Sequence, residues 1–293
     1  MSNLRNLVLI ANPNAGRYAA ATVKRVQAYY QTMGIEVLLW RGDMGSCFRD
    51  AISSLDSRRD AVVVIGGDGT LNQVINTLGP GKVTIGIIPA GTGNVFAREL
   101  GVPTKDPLGA AEVTLRNQKR RLDLGLLDGR YFLLMAGIGF DGQVAARLEA
   151  AQKRRMGLGA YAWATVREIF KYQARPIYVK AKGHNERGST VLICNTRRYG
   201  GPLTFAQKAY PDDGLLDVVV FRRMGFLPAL RFFLMGCGFR YFIRERDLVY
   251  FQTKSLEVKS KYPIPVQIDG DYYGILPVRI SVAPNSQDFL VGS

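Results

Sequence analysis

Four short, nearly unbroken apolar runs mark the first third of the chain, at residues 7–11, 35–40, 61–65 and 83–88. Runs of this length and continuity suit strands buried on both faces of a parallel sheet. Between them, apolar positions recur at i, i+3, i+4 and i+7. Val26, Tyr29, Tyr30 and Met33 fit that spacing, as do Phe48, Ala51, Ile52 and Leu55, and again Leu71, Val74, Ile75 and Leu78. Each set gathers on one face of a helix. Strand and helix in alternation predict an N-terminal α/β domain with a mostly parallel sheet.

Past residue 122 the texture changes. Residues 131–136, 177–182, 190–195, 216–221, 248–253, 255–259, 266–268 and 278–282 are strand candidates with no regular helices between them. Turn signals such as Asp128-Gly129 and Asp213-Gly214 punctuate them. This predicts a β-rich, sandwich-like C-terminal domain with its boundary near residue 122.

Composition narrows the chemistry. The 293 residues are 47% hydrophobic and 22% charged, with 32 glycines, which describes a globular chain. Cys47, Cys194 and Cys237 are widely separated and form no CxxC pair, arguing against a disulfide framework or a zinc site and for a reducing, cytoplasmic setting. His184 is the single histidine and lies in a polar stretch, 182–188, that reads as a turn. Ser/His/Asp and Cys/His catalysis and multi-histidine metal sites are thereby disfavoured. The start of the chain, with an apolar run of five, is too short for a signal-peptide core. The most apolar stretch, residues 225–239, is broken by Pro228 and Arg231 and falls short of the ~20 residues a spanning helix needs.

The net charge of +15 points to a polyanionic partner. Residues 152–187 carry nine Lys/Arg against two acids, and residues 222–246 carry six Arg against one acid. Both segments also hold aromatic residues, among them Tyr161, Trp163, Phe170, Phe232 and Phe233. Arg167, Lys171 and Arg175 fall on one face of a predicted helix.

Candidate chemistry sits in the turns. Asn12-Pro13-Asn14-Ala15-Gly16 follows the first strand. Gly66-Gly67-Asp68-Gly69-Thr70-Leu71-Asn72 follows the third, and its three glycines let backbone N–H groups close on phosphate oxygens. Asp68 is out of place in an anion cradle unless a metal ion or an abstracted proton makes it useful. Pro89-Ala90-Gly91-Thr92-Gly93-Asn94 repeats the theme after the fourth strand. Gly137-Ile138-Gly139-Phe140-Asp141-Gly142 matches GxGxxG formally, but it lies outside the βαβ half with no acidic residue about twenty positions on, so a dinucleotide site is a poor reading. Late in the chain, Tyr210-Pro211-Asp212-Asp213-Gly214-Leu215-Leu216-Asp217 offers carboxylates and carbonyls to a hard cation such as magnesium. Asp269-Gly270-Asp271 offers a carboxylate pair as general base or metal ligand.

Taken in order, these motifs resemble the diacylglycerol kinase catalytic-domain family of lipid kinases, which includes bacterial diacylglycerol and phosphatidylglycerol kinases and sphingosine and ceramide kinases. The resemblance runs from Asn12 to Asp271. It implies a nucleotide-binding α/β domain (residues 1–122 with about 280–293), a β-sandwich-like lipid-substrate domain (123–279), and an active site in the interdomain cleft. It places ATP phosphates against Gly66, Gly67, Asp68, Gly69, Thr70, Leu71, Asn72, Gly91 and Thr92, with Asn12 nearby. It makes Asp271 the proton acceptor, where the family usually has the longer Glu. Asp68 and Asp123 match positions that organise magnesium and water. Asp213, with the carbonyls of Tyr210 and Leu215, matches a structural magnesium site. Arg41, near a position commonly threonine, and Val95, in place of a common aspartate, depart from the pattern.

The expectation is an ATP- and Mg²⁺-dependent kinase that phosphorylates a membrane-lipid hydroxyl. It would be cytoplasmic and peripheral at the anionic inner membrane face, held there by the basic aromatic segments. Asp271→Asn and Asp68→Asn should each nearly silence turnover and leave folding intact. Rival readings are a soluble kinase of the NAD kinase type and a non-enzymatic nucleic-acid binder, the latter leaving the ordered carboxylates without a role. The lipid and the oligomeric state, a homodimer among the options, stay open.

Overall fold

The computed structural model describes residues 4–13, 20–40, 52, 55, 56, 59–147, 173–199, 203–223 and 247–292. Asn14 to Gly16, Arg41, Cys47, Phe48, Ala51, Tyr161, Trp163, Arg167, Phe170, Lys171, Phe232, Phe233 and Cys237 lie outside them. The chain divides into two compact units, residues 1–122 with 285–293, and residues 123–284.

The first unit alternates β1 (Asn6–Ala11), α1 (Ala20–Thr32), β2 (Glu36–Trp40), β3 (Asp60–Gly66), α2 (Asp68–Leu78) and β4 (Thr84–Pro89), then α3 (Val95–Glu99) and α4 (Pro107–Leu115). The strands are parallel in the order β2-β1-β3-β4. Every residue of β3 and β4 is buried, as strands covered on both faces must be. β2 is different: it is the edge strand, and Leu38 is 50% exposed, so its apolar run is not buried on both faces as the sequence predicts. In α2 the predicted face, Leu71, Val74, Ile75 and Leu78, is buried. In α1 the buried residues are Val23, Val26 and Tyr30, while Met33 lies past the helix and is 55% exposed, one turn off the expected stripe. Tyr30 carries its hydroxyl into the core and hydrogen-bonds Thr114 of α4 at 2.6 Å. α4 itself is closed by Asp106, whose carboxylate accepts the Leu108 N–H at 3.1 Å, with Pro107 in the first turn.

β5 (Lys119–Leu127) leads into the second unit, followed by β6 (Arg130–Phe132), β7 (Met135–Ile138), α5 (Phe140–Arg147), β8 (Ile177–Ala181), β9 (His184–Gly188), β10 (Thr190–Cys194), β11 (Arg198–Tyr199), β12 (Leu203–Thr204), β13 (Leu216–Phe221), β14 (Leu248–Thr253), β15 (Ser255–Lys259), β16 (Pro265–Ile268), β17 (Asp271–Ile275) and β18 (Val278–Leu290), whose last residues belong to the first unit. One antiparallel sheet runs β14-β13-β10-β7-β16-β17; β18, β15, β8 and β9 form the facing antiparallel layer. The core between them draws Ile138, Ile193, Val218 and Val266 from the first sheet and Val179, Leu256, Val258 and Ile280 from the second. β8 and β15 alternate buried and open positions, the period of two that a half-solvated sheet requires.

Several sequence expectations shift here. The single strand expected at 131–136 is broken into β6 and β7, because the Leu133 and Leu134 N–H groups leave the ladder for a side chain. Residues 182–188 are not all turn: after Lys182 and Gly183 the chain returns as β9, and His184 stacks on Phe251 with ring centroids 4.0 Å apart. A helix, α5, lies between the strand candidates at 131–136 and 177–182, ahead of the basic segment in which the sequence predicts a helix.

Candidate active site

β1 pairs with β2 on one side and β3 on the other, so strand order reverses between β1 and β3. Ligands of open α/β sheets gather beyond the carboxyl ends of strands at such a reversal. The three predicted turns meet there. Asn12, after β1, donates its side-chain N–H to Thr70 Oγ1 at 2.7 Å. Ala90, after β4, donates its backbone N–H to Gly66 O at 2.8 Å. Gly67 and Gly91 touch backbone to backbone: a Cβ on Gly91 would stand 2.5 Å from the Gly67 Cα. Gly66 likewise leaves room for Thr70, whose Cβ would lie 2.8 Å from a Cβ placed there. Asn94 fixes the fourth turn in a left-handed conformation (φ 48°), accepting the Gly91 N–H at 2.9 Å and donating to the Gly91 carbonyl at 2.8 Å.

These contacts sort the candidate residues. Gly69 and Thr92 are exposed beside the turns, and Gly67 is half-buried. Leu71 is fully buried in the core, so its side chain is not a ligand contact; Asn72 is buried and takes the Asn76 side-chain N–H at 3.0 Å. Asp68 opens α2, where the helix dipole favours a negative charge. Its two oxygens accept the N–H groups of Val95 at 2.9 Å and Phe96 at 3.0 Å, so it caps α3 as well as facing the turns. Burial pushes its carboxyl above the usual range, against the downward pull of those two hydrogen bonds.

The late carboxylates form a second constellation within residues 123–284. Asp123, 1% exposed, accepts the Gly214 N–H at 2.6 Å, and its own N–H reaches Pro211 O at 2.6 Å. This seats the 210–217 turn on β5. Asp213 lies exposed in that turn and accepts the Leu215 N–H at 2.9 Å. Partial burial raises its pKa, and the charges of Asp217, Asp123 and Asp212 raise it further. Asp217 turns inward instead, accepting from Tyr250 Oη and, at 3.3 Å, from Gln252. Among the described residues no three His, Cys, Asp or Glu side chains converge as a metal cage.

Asp269 and Asp271 do not act as a pair. Asp269 takes three consecutive backbone N–H groups, those of Leu133 (2.8 Å), Leu134 (2.8 Å) and Met135 (3.0 Å). It occupies the left-handed corner of the β16–β17 hairpin with Gly270. Asp271, the first residue of β17, is exposed. Asp269 is thus a fold-holding residue that an Asp-Gly signal places in a turn without revealing its target. Asn195 is a second residue the sequence does not signal: it is buried and donates to the carbonyls of Asp123 (3.0 Å) and Leu133 (2.9 Å).

An α/β unit with glycine turns gathered at a strand reversal, in one chain with an antiparallel sandwich that presents carboxylates, has the parts of a phosphoryl-transfer enzyme. Residues 6–127 match the diacylglycerol kinase catalytic domain, and residues 135–291 match the YegS C-terminal NAD kinase beta sandwich-like domain. A diacylglycerol kinase of Mycobacterium tuberculosis is 30% identical over 288 residues, covering 94% of this chain and 91% of that protein. One of Bacillus subtilis is 27% identical over 279 residues, covering 92% and 90%. A crystal structure from Bacillus anthracis shares the fold with a TM-score of 0.80 at 24% identity, covering 100% of this chain and 97% of that one. The chain belongs to the diacylglycerol kinase catalytic-domain family and is a lipid kinase. As a kinase of that family it uses ATP. Among the described residues no helix is long and apolar enough to cross a membrane.

Proposed function

We propose that the chain transfers the γ-phosphate of ATP to the hydroxyl of a diacylglycerol-like membrane lipid. The observation that carries the nucleotide half is the convergence of three turns through Asn12–Thr70 and Gly67–Gly91. A Cβ on Gly91 or Gly67 would press on the facing glycine and part the two turns, so glycine at both positions lets these turns close together and offer their backbone to one triphosphate. Gly66, Gly67, Gly69, Thr70 and Thr92 hold the phosphates by backbone and hydroxyl groups, Gly91, whose N–H is taken by Asn94, keeps the two turns in contact, and Asn12 braces Thr70. Asp271 accepts the alcohol proton; its exposure leaves it open to substrate.

The 210–217 turn fits magnesium: Asp213 sits among other carboxylates, and a hard cation relieves that crowding while keeping several waters. Asp213 and the carbonyls of Tyr210 and Leu215 would hold the structural ion. The resemblance to the family gives Asp68 and Asp123 each a part in organising magnesium and water. Magnesium, when bound, neutralises the charge developing on the transferred phosphoryl group. The lipid stays in its bilayer, so the enzyme works at an anionic inner membrane surface, which the excess of Lys and Arg favours.

The test is incubation with radiolabelled ATP, magnesium and a total lipid extract, then identification of the labelled product. A single phospholipid acid from diacylglycerol is expected. Label in NADP, when NAD is offered without lipid or detergent, would instead support a soluble nucleotide kinase.

A further inference from the structure

The Gly137–Gly142 motif, a poor match for a dinucleotide site, packs its Asp141 against the hairpin that carries Asp271. Asp141, in the first turn of α5, is 2% exposed. Its Oδ2 accepts the side-chain N–H of Gln267, itself 2% exposed on β16. Gln267 in turn uses Oε1 to accept the Gly270 N–H at 2.7 Å, one residue before Asp271. The glycines of the motif make room for this relay. A Cβ on Gly137 would run into the Asp141 carboxylate and stand 2.6 Å from Gln267 Nε2, and one on Gly142 would run into Pro265 O of β16. The β16–β17 register slips by one residue between Val266 and Gln267, leaving Tyr273 as the extra residue on β17. Such bulges re-aim side chains beside functional sites.

We infer that Asp141 and Gln267 are positioning residues for the proton acceptor, fixing the Asp269-Gly270 corner so that Asp271 meets the lipid hydroxyl. This rests on the reading of Asp271 as base. Asp269 anchors the corner on one side through Leu133, Leu134 and Met135; the Asp141–Gln267–Gly270 relay anchors it on the other. Positional errors of about 1 Å cost on the order of 10²-fold in rate, so a corner pinned on both sides carries kinetic weight although neither anchor touches substrate.

The experiment measures kcat and the KM for ATP of the full chain on dioleoylglycerol in detergent micelles, with labelled ATP, for Gln267→Met, Asp141→Asn, Asp271→Asn and the double variant Gln267→Met/Asp271→Asn. Gln267→Met keeps the volume and removes both hydrogen bonds. It should lower kcat at least tenfold and change the KM for ATP less than twofold. Asp141→Asn, which keeps an acceptor oxygen for Gln267, should hold kcat within threefold. In the Asp271→Asn background, Gln267→Met should add nothing, because its effect runs through the residue already removed. Should Gln267→Met fail to fold by circular dichroism, Gln267→Asn, too short to span Asp141 and Gly270 together, decides by the same readouts. Wild-type kcat in the Gln267 variant, or an equal loss in the Asp271→Asn background, overturns the inference and leaves the base assignment standing. Wild-type kcat in Asp271→Asn overturns the base assignment itself.

Discussion

Asp68 and Val95 are joined by a 2.9 Å hydrogen bond from the Val95 N–H to the Asp68 carboxylate, and the adjacent Phe96 N–H takes the other oxygen. One carboxylate therefore ties the turn after β3 to the helix after β4. The sequence alone gives Asp68 to catalysis and expects Asp68→Asn to leave folding intact. The two hydrogen bonds revise that. Asn offers one acceptor where two are used, so Asp68→Asn should lose about 1–2 kcal/mol of stability, the range of a lost helix cap, in addition to turnover. Urea unfolding checks it, and an unchanged midpoint would restrict Asp68 to chemistry.

Gly91 and Gly183 separate lack of space from backbone conformation. Gly91→Ala drives a methyl group against the Gly67 Cα and, at 2.8 Å, against Asn94 Oδ1. It should raise the KM for ATP at least tenfold and cost about 1–3 kcal/mol from overpacking. Gly183→Ala meets nothing within 4 Å and suffers only its left-handed φ of 76°. It should cost about 1–2 kcal/mol and leave kinetics alone. Equal ATP affinities in both variants would remove the cradle from the nucleotide site.

Most of the first unit is legible in its apolar runs because strands such as β3 and β4 are buried on both faces and show no alternation to confuse them with anything else. The exceptions have physical causes. Leu38 is apolar on an exposed edge, where a run cannot announce that one side lacks a cover. The break after β6 depends on Asp269, 136 residues away from Leu133, and no local pattern carries a contact of that separation. The site divides the same way: glycine turns are visible locally, whereas Gln267 and Asn195 are ordinary letters until the strands pair.

Asp217 sets a pH dependence. Burial raises its pKa in the folded state, and hydrogen bonds from Tyr250 and Gln252 offset this only in part. A carboxyl whose folded pKa exceeds the unfolded value of about 3.9 binds its proton more tightly when folded. Its contribution is therefore greatest at low pH and is lost as pH rises through the interval between the two values. Relative to Asp217→Asn, wild-type stability should fall as pH climbs from about 4 through the raised folded pKa, then level off. Urea midpoints across that range test it; a constant or rising difference would contradict it.

Magnesium at the 210–217 turn would link metal to folding. Millimolar magnesium should raise the melting temperature of the wild type, since a ligand bound by the native state alone stabilises it. Asp213→Asn should abolish the rise and, by removing one of the crowded charges, leave the melting temperature in chelator at or above that of the wild type. An undiminished response in the variant would move the ion elsewhere.

The central claim is that Asp271 takes the proton of the lipid hydroxyl while the turns after β1, β3 and β4 hold the triphosphate. Removing a general base costs about 10²–10⁴ in rate. The decisive measurement is kcat on diacylglycerol for Asp271→Asn beside its equilibrium affinity for ATP. A loss of that size in kcat with wild-type ATP affinity is the predicted result; a variant that keeps most of its kcat would contradict the account.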